Sequence, residues 1–184
     1  MNGPSTRIPF PRVSGERAGG PIVVGVDGSE PSLHALAWAL EHAASLGRPV
    51  EVVTVWPIHA PVFVREVGGH FCEPRWRAAR VQADTVARAL AEVSNPPAYA
   101  LRLENAEVID ALVTAAGPAS LLVLGTDRTE QTTDSPAWVY AHNTPLTVLV
   151  QRRTNCPVVL VADPATSTAD QPAEQPELAD SATR

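Results

Sequence analysis

Lysine is absent from this 184-residue chain, whose fourteen strongly basic residues are all Arg. That excludes every mechanism built on a lysine amine: Schiff bases, the P-loop lysine and the phosphate-binding lysine of kinases. Cysteine is nearly as scarce. Cys72 and Cys156 stand alone and far apart, which fits a reducing compartment better than a disulfide framework. Positive charge is in deficit. The formal charge of -6 and pI near 5.3 disfavour a nucleic-acid partner, because counterion release needs clustered cations. No segment offers about 18 consecutive apolar residues, so no membrane span is expected. The opening stretch, Met1 to Gly20, carries Arg7, Arg12 and Arg17 but no signal-peptide core. A cytoplasmic protein is the expectation.

What is present suffices for one domain. The chain is 45% hydrophobic, enough for a continuous core at this length. Residues 1–20 hold Pro4, Pro9, Pro11 and the Gly19-Gly20 pair without periodic apolar spacing, and read as a disordered arm. Pro164 to Arg184 is acidic and polar with one Leu, too little apolar surface to offset ordering entropy. It reads as a disordered tail, leaving residues 21–163 as the domain.

Within the domain, short apolar runs alternate with helical patterns. The runs are Ile22 to Val26, Val50 to Trp56, Tyr99 to Leu103, Leu121 to Gly125 and Pro157 to Ala162. This is the pattern of βαβ units around a parallel sheet buried on both faces. A first helix is predicted after Asp27-Gly28-Ser29, capped by Ser29 or Glu30, with Pro31 in its first turn and an end near Gly47. Its predicted inner stripe is Leu33, Leu36, Ala37, Leu40 and Ala44. A second starts at Pro74, buries Ala79, Ala83, Val86, Leu90 and Val93, and stops before Pro96-Pro97. A third follows Asn105, with Val108, Ile109, Leu112 and Ala116 on one face and Gly117-Pro118 closing it. Thr144 followed by Pro145 marks the start of a fourth, with Leu146, Leu149 and Val150 inward. A sheet so built has its site at the carboxyl ends of the strands, where strand order reverses. The loops after Val26, Val55 and Gly125 are therefore the candidates.

The segment Ile22 to Ser32, with Asp27-Gly28-Ser29-Glu30-Pro31, resembles the opening strand and turn of universal stress proteins. So do Val50 to Trp56, then Ala106 to Ala116 leading into Leu121 to Thr126, and lastly Asn155 to Val161. Together these pieces cover residues 21–162 in the family's order. The resemblance implies a five-stranded parallel sheet of order 3-2-1-4-5 with helices on both faces, a Rossmann-like α/β fold of the adenine-nucleotide hydrolase type. It also implies homodimers joined through the last strand.

Many members of that family bind ATP through an Asp after the first strand and a loop Gly-x-x-Gly-(nine residues)-Gly-Ser/Thr after the fourth. The glycines let backbone amides approach the phosphates, and the hydroxyl sits at a helix N-terminus that favours negative charge. In this chain Asp27, Gly125 and the cap at Thr144 match. The second glycine is replaced by Arg128, no glycine follows Gly125, and the loop runs about six residues longer with Asp127, Glu130 and Asp134 in it. If a nucleotide binds, Asp27, Gly125, Arg128 and Thr144 are the residues to hold it.

Each candidate has a structural reading beside the functional one. Asp27 either meets a nucleoside or accepts amides in its own turn. Arg128 either clamps a phosphate or pairs with the neighbouring carboxylates. His59, His70 and Cys72 are competent metal ligands, yet they are singletons without the paired spacing of a zinc site, and no metal is expected. Cys72 could be a redox thiol near a helix start; Cys156 reads as a small buried hydrophobe. Trp138, Tyr140 and His142 crowd the lengthened loop, to fill an empty nucleotide pocket or to face a partner. No nucleophile elbow, catalytic triad or carboxylate pair can be argued, so no enzyme is expected. The expectation is a regulatory or interaction domain in stress physiology that binds no ATP through the family loop. The alternative is an ATP-binding member with a phosphate loop built from side chains.

Overall fold

A computed structural model of the chain describes residues 15–56, 71–126 and 146–162. Five apolar segments form strands: β1 Ile22–Gly25, β2 Val50–Trp56, β3 Tyr99–Asn105, β4 Leu121–Thr126 and β5 Val158–Ala162. Four helices connect them: α1 Glu30–Leu46, α2 Glu73–Glu92, α3 Val108–Ala116 and α4 Leu146–Arg153. The strands pair in parallel in the order β3-β2-β1-β4-β5. The expected fold and strand order are what the structure has. Among the described residues no helix is long and apolar enough to cross a membrane.

Period-two alternation divides each central strand between two cores. Ile22, Val24, Val50, Val52, Leu121 and Val123 pack under α1 and α2. Val23, Val53, Leu122 and Leu124 pack under α3 and Val150 of α4. Burial on both faces is why these strands read as unbroken apolar runs. Cys156 is buried in the second cluster, as its small size and apolar neighbours led us to expect.

The helix faces differ from their predicted stripes in instructive ways. On α1, Ala35, Ala39 and Ala43 are fully buried, whereas Ala37 and Ala44 are only half-buried. α1 touches β4, β5 and α2 together, so its buried arc is wide and its small residues, four apart, lie at the closest approach. On α2, Ala83 is exposed and the buried line is Gln82, Thr85, Val86 and Ala89. A buried glutamine is tolerated because its Nε2 donates to the carbonyls of Val52 (3.1 Å) and Arg102 (3.0 Å), tying the helix to β2 and β3. On α4, Leu146 is exposed, and the inward pair is Thr147 and Val150.

The arm expected over residues 1–20 is corrected at its inner end. The Arg17 amide donates to Ser120 O at 3.2 Å, and its guanidinium donates to Gly117 O (3.3 Å) and Asn155 O (2.5 Å). Glu16 accepts from Arg48 at 2.7 Å and pairs with the buried His42 at 3.2 Å. Two charged residues thus bind His42 of α1, Arg48 just beyond it, and carbonyls after α3 and before β4 and β5. Hydropathy periodicity carries no such signal. Residues 1–14 and the expected tail, 164–184, lie outside the described residues.

Candidate functional site

β1 delivers the chain to Asp27 at the point where neighbouring strands lead away in opposite directions, β2 to one side and β4 to the other. Gly28 then turns the chain at φ +91°, a conformation that disfavours any residue with a Cβ. A Cβ there would also press into the Val81 side chain of α2. Ser29 caps α1, as predicted, and its Oγ accepts from the Ser32 amide at 3.3 Å. The same hydroxyl donates to Asp27 Oδ1 at 2.6 Å, and the Ser29 amide donates to that oxygen at 3.0 Å.

Asp27 is therefore occupied within its own turn. Partial burial of its carboxyl raises the pKa, but the Ser29 hydroxyl and amide, aided by Ser32, outweigh this and hold the group below the usual carboxylate range. A depressed folded-state pKa contributes stability above the unfolded value, and that contribution disappears as pH falls through the folded one. Asp27→Asn should accordingly flatten the acid limb of the stability curve. Urea midpoints between pH 6 and pH 3 check this; a variant with the wild-type acid slope would show that other carboxylates set it.

Gly125 stands at the end of β4, where the strand passes the first turn of α1. A Cβ on it would lie closer than 3.0 Å to the Pro31 carbonyl and the Ser32 amide nitrogen. Backbone meets backbone there, so the missing side chain is a packing requirement. Between the ends of β1 and β4 lies a cleft of about 230 Å³, lined by Asp27, Ser29, Ser32, Val55, Gly125 and Thr147 among others. Asp27 is the one charged residue among the described residues that line it.

The structure brings Asp27 and Gly125 to one cleft. Arg128 and Thr144 lie outside the described residues, as do His59, His70, Trp138, Tyr140 and His142. Of the three possible metal ligands, Cys72 alone is described. It occupies the N-cap position of α2 without a side-chain capping bond. No group of three metal-competent side chains occurs among the described residues. Ser32 and Thr147 line the cleft and escaped sequence reading. Ser32 could have been found as the hydroxyl three residues beyond the cap; Thr147 could not, because its inward turn depends on how α4 seats.

The model of the universal stress protein family matches residues 20–162. A universal stress protein family structure from Burkholderia pseudomallei is 26% identical, covers 77% of this chain and 95% of its own, and gives a TM-score of 0.51. One from Archaeoglobus fulgidus is 23% identical over 78% of this chain and 93% of its own, at a TM-score of 0.54. A universal stress protein solved in complex with cAMP is 23% identical, with coverages of 77% and 95% and a TM-score of 0.52. No curated protein matches the chain. A family match over most of the chain, on a sheet of the order that the resemblance implied, shows that this protein belongs to the universal stress protein family.

Proposed function

We propose that this chain is a regulatory universal stress protein that acts by association with protein partners rather than by catalysis. Its cleft takes no ATP through the family's loop. The observation that carries this reading is the chemistry of the cleft: its described lining holds one charge, and that charge is negative. A triphosphate needs close backbone amides and positive potential. Two of the three surviving motif residues are committed elsewhere, Asp27 to the Ser29 turn and Gly125 to the passage of β4 past α1. Titration calorimetry with ATP and magnesium should show no saturable heat up to about 1 mM, where binding is worth roughly 4 kcal/mol. A micromolar constant abolished by Asp27→Ala would overturn the reading.

The partner the fold offers first is a second copy along β5. This strand closes one edge of the sheet, and Val158, Val159, Leu160 and Val161 are each only half-buried. An apolar edge strand, with no further strand beside it among the described residues, invites strand pairing. Light scattering should report about twice 19.5 kDa for the full chain. Leu160→Arg should return it to the monomer; a wild-type monomer at micromolar concentration would sink the dimer.

An ATP-binding alternative, with Arg128 and Thr144 contacting the phosphates, rests on the position of the cleft at the strand-order switch. Proteins of similar fold have been solved with cAMP and with dAMP. The same calorimetric titration separates the two readings.

A further inference from the structure

A second cleft, of about 380 Å³, opens on the other side of the sheet end, between β2 and the start of α2. Its apolar walls include Val55, Trp56, Pro74, Ala78 and Val81, and its charged residues among those described are Asp27, Glu73 and Arg77. Thr54 and Trp56 also line it, 4% and 2% exposed respectively. Trp56 Nε1 and Thr54 Oγ1 are buried with no hydrogen-bond partner among the described residues. An unpaired buried donor costs about 1–3 kcal/mol, so two at one cleft are a standing penalty that a bound acceptor would relieve.

We infer that this cleft is a ligand site for a small neutral molecule with an apolar, ring-sized body and one carbonyl acceptor. The indole N–H can only donate, and the threonine hydroxyl can donate beside it, so the ligand must accept. Charge decides against an anion. Among the described lining residues, Asp27 and Glu73 face one cation, Arg77, which already pairs with Glu73 at 2.6 Å. A carboxylate entering here would meet net negative charge, whereas a ketone or amide would not. The apolar walls supply the rest of the binding free energy. The site adjoins the first cleft and shares Asp27 and Val55 with it, but Thr54 and Trp56 line this cleft and not the other, and they point to the α2 face by strand alternation.

Three aryl probes test this on the full-length protein: acetophenone, ethylbenzene, which lacks the acceptor, and benzoate, which carries the charge. The readout is the indole N–H resonance of Trp56 in ¹⁵N-labelled protein, assigned by its disappearance in Trp56→Phe. Acetophenone should shift that resonance saturably, with ethylbenzene and benzoate at least about fivefold weaker. Trp56→Phe keeps the ring and removes the donor, and Thr54→Val removes the hydroxyl. Each should weaken acetophenone binding about tenfold, followed for Trp56→Phe by tritiated-ligand dialysis. Both variants should melt at or above the wild-type temperature, because each deletes an unpaired buried group. Absence of a saturable shift, equal binding of ethylbenzene, or tighter binding of benzoate would overturn the assignment. So would a lowered melting temperature in both variants, which would mean that the chain satisfies these groups itself.

Discussion

Gly125→Ala is expected to destabilise the domain by about 3 kcal/mol, the upper part of the usual range for overpacking. For a domain of this size that lowers the melting temperature by about 6–12 °C. The cause is steric. The added methyl would fall closer than 3.0 Å to the Pro31 carbonyl and the Ser32 amide nitrogen, and backbone cannot swing aside as a flexible side chain can. β4 must move away from α1, yet β4 is held on both flanks, by β1 and β5. The loss should be the same with and without added ATP. Unfolding followed by circular dichroism measures it. A variant that melts like wild type but differs in response to nucleotide would return Gly125 to the role of a phosphate-loop glycine.

Trimming the chain to begin at residue 21 is expected to cost about 2–4 kcal/mol, whereas trimming it to begin at residue 15 should be nearly neutral. The shorter form loses the Arg17 amide bond to Ser120 and both guanidinium bonds, to Gly117 and Asn155. It also loses Glu16, which leaves His42 and Arg48 without that carboxylate at the end of α1. Breaking a largely buried pair costs more than its net worth, because the remaining group keeps its desolvation penalty. Exposed pairs such as Arg77 with Glu73 give no comparable expectation. Chemical denaturation of the two trimmed forms against the full chain decides the matter. Equal midpoints for all three would show that Glu16 and Arg17 merely rest on the surface.

Both expectations concern positions where local sequence and tertiary contact say different things. Glu16 and Arg17 sit in a stretch with the composition of an unstructured arm, and only distant carbonyls make them part of the domain. Gln82 is similar: a polar residue on the buried line of a helix breaks the apolar stripe, and the predicted face shifts to Ala79 and Ala83. Leu146 misleads in the opposite sense, since an apolar residue after a proline start reads as inward yet is exposed. In the cleft, Asp27 and Gly125 were legible from their places after the first and fourth strands. The local contacts that hold them were not, because these depend on Ser29 Oγ at one residue and on Pro31 at the other.

By itself the sequence determined the element order, the parallel sheet and the cap and turn at Ser29 and Gly47. These follow from periodicity, from the hydrogen-bonding habits of serine and from glycine's tolerance of left-handed backbone, all of which act within a few residues. It also determined that a glycine-rich phosphate loop is missing, since no glycine follows Gly125. Tertiary structure alone decided that Gly125 is held by the backbone of α1 and that Glu16 reaches His42. It alone left the Trp56 indole N–H buried without a partner among the described residues. Each of these depends on distances between segments tens of residues apart, and short-range pattern carries no information about such distances.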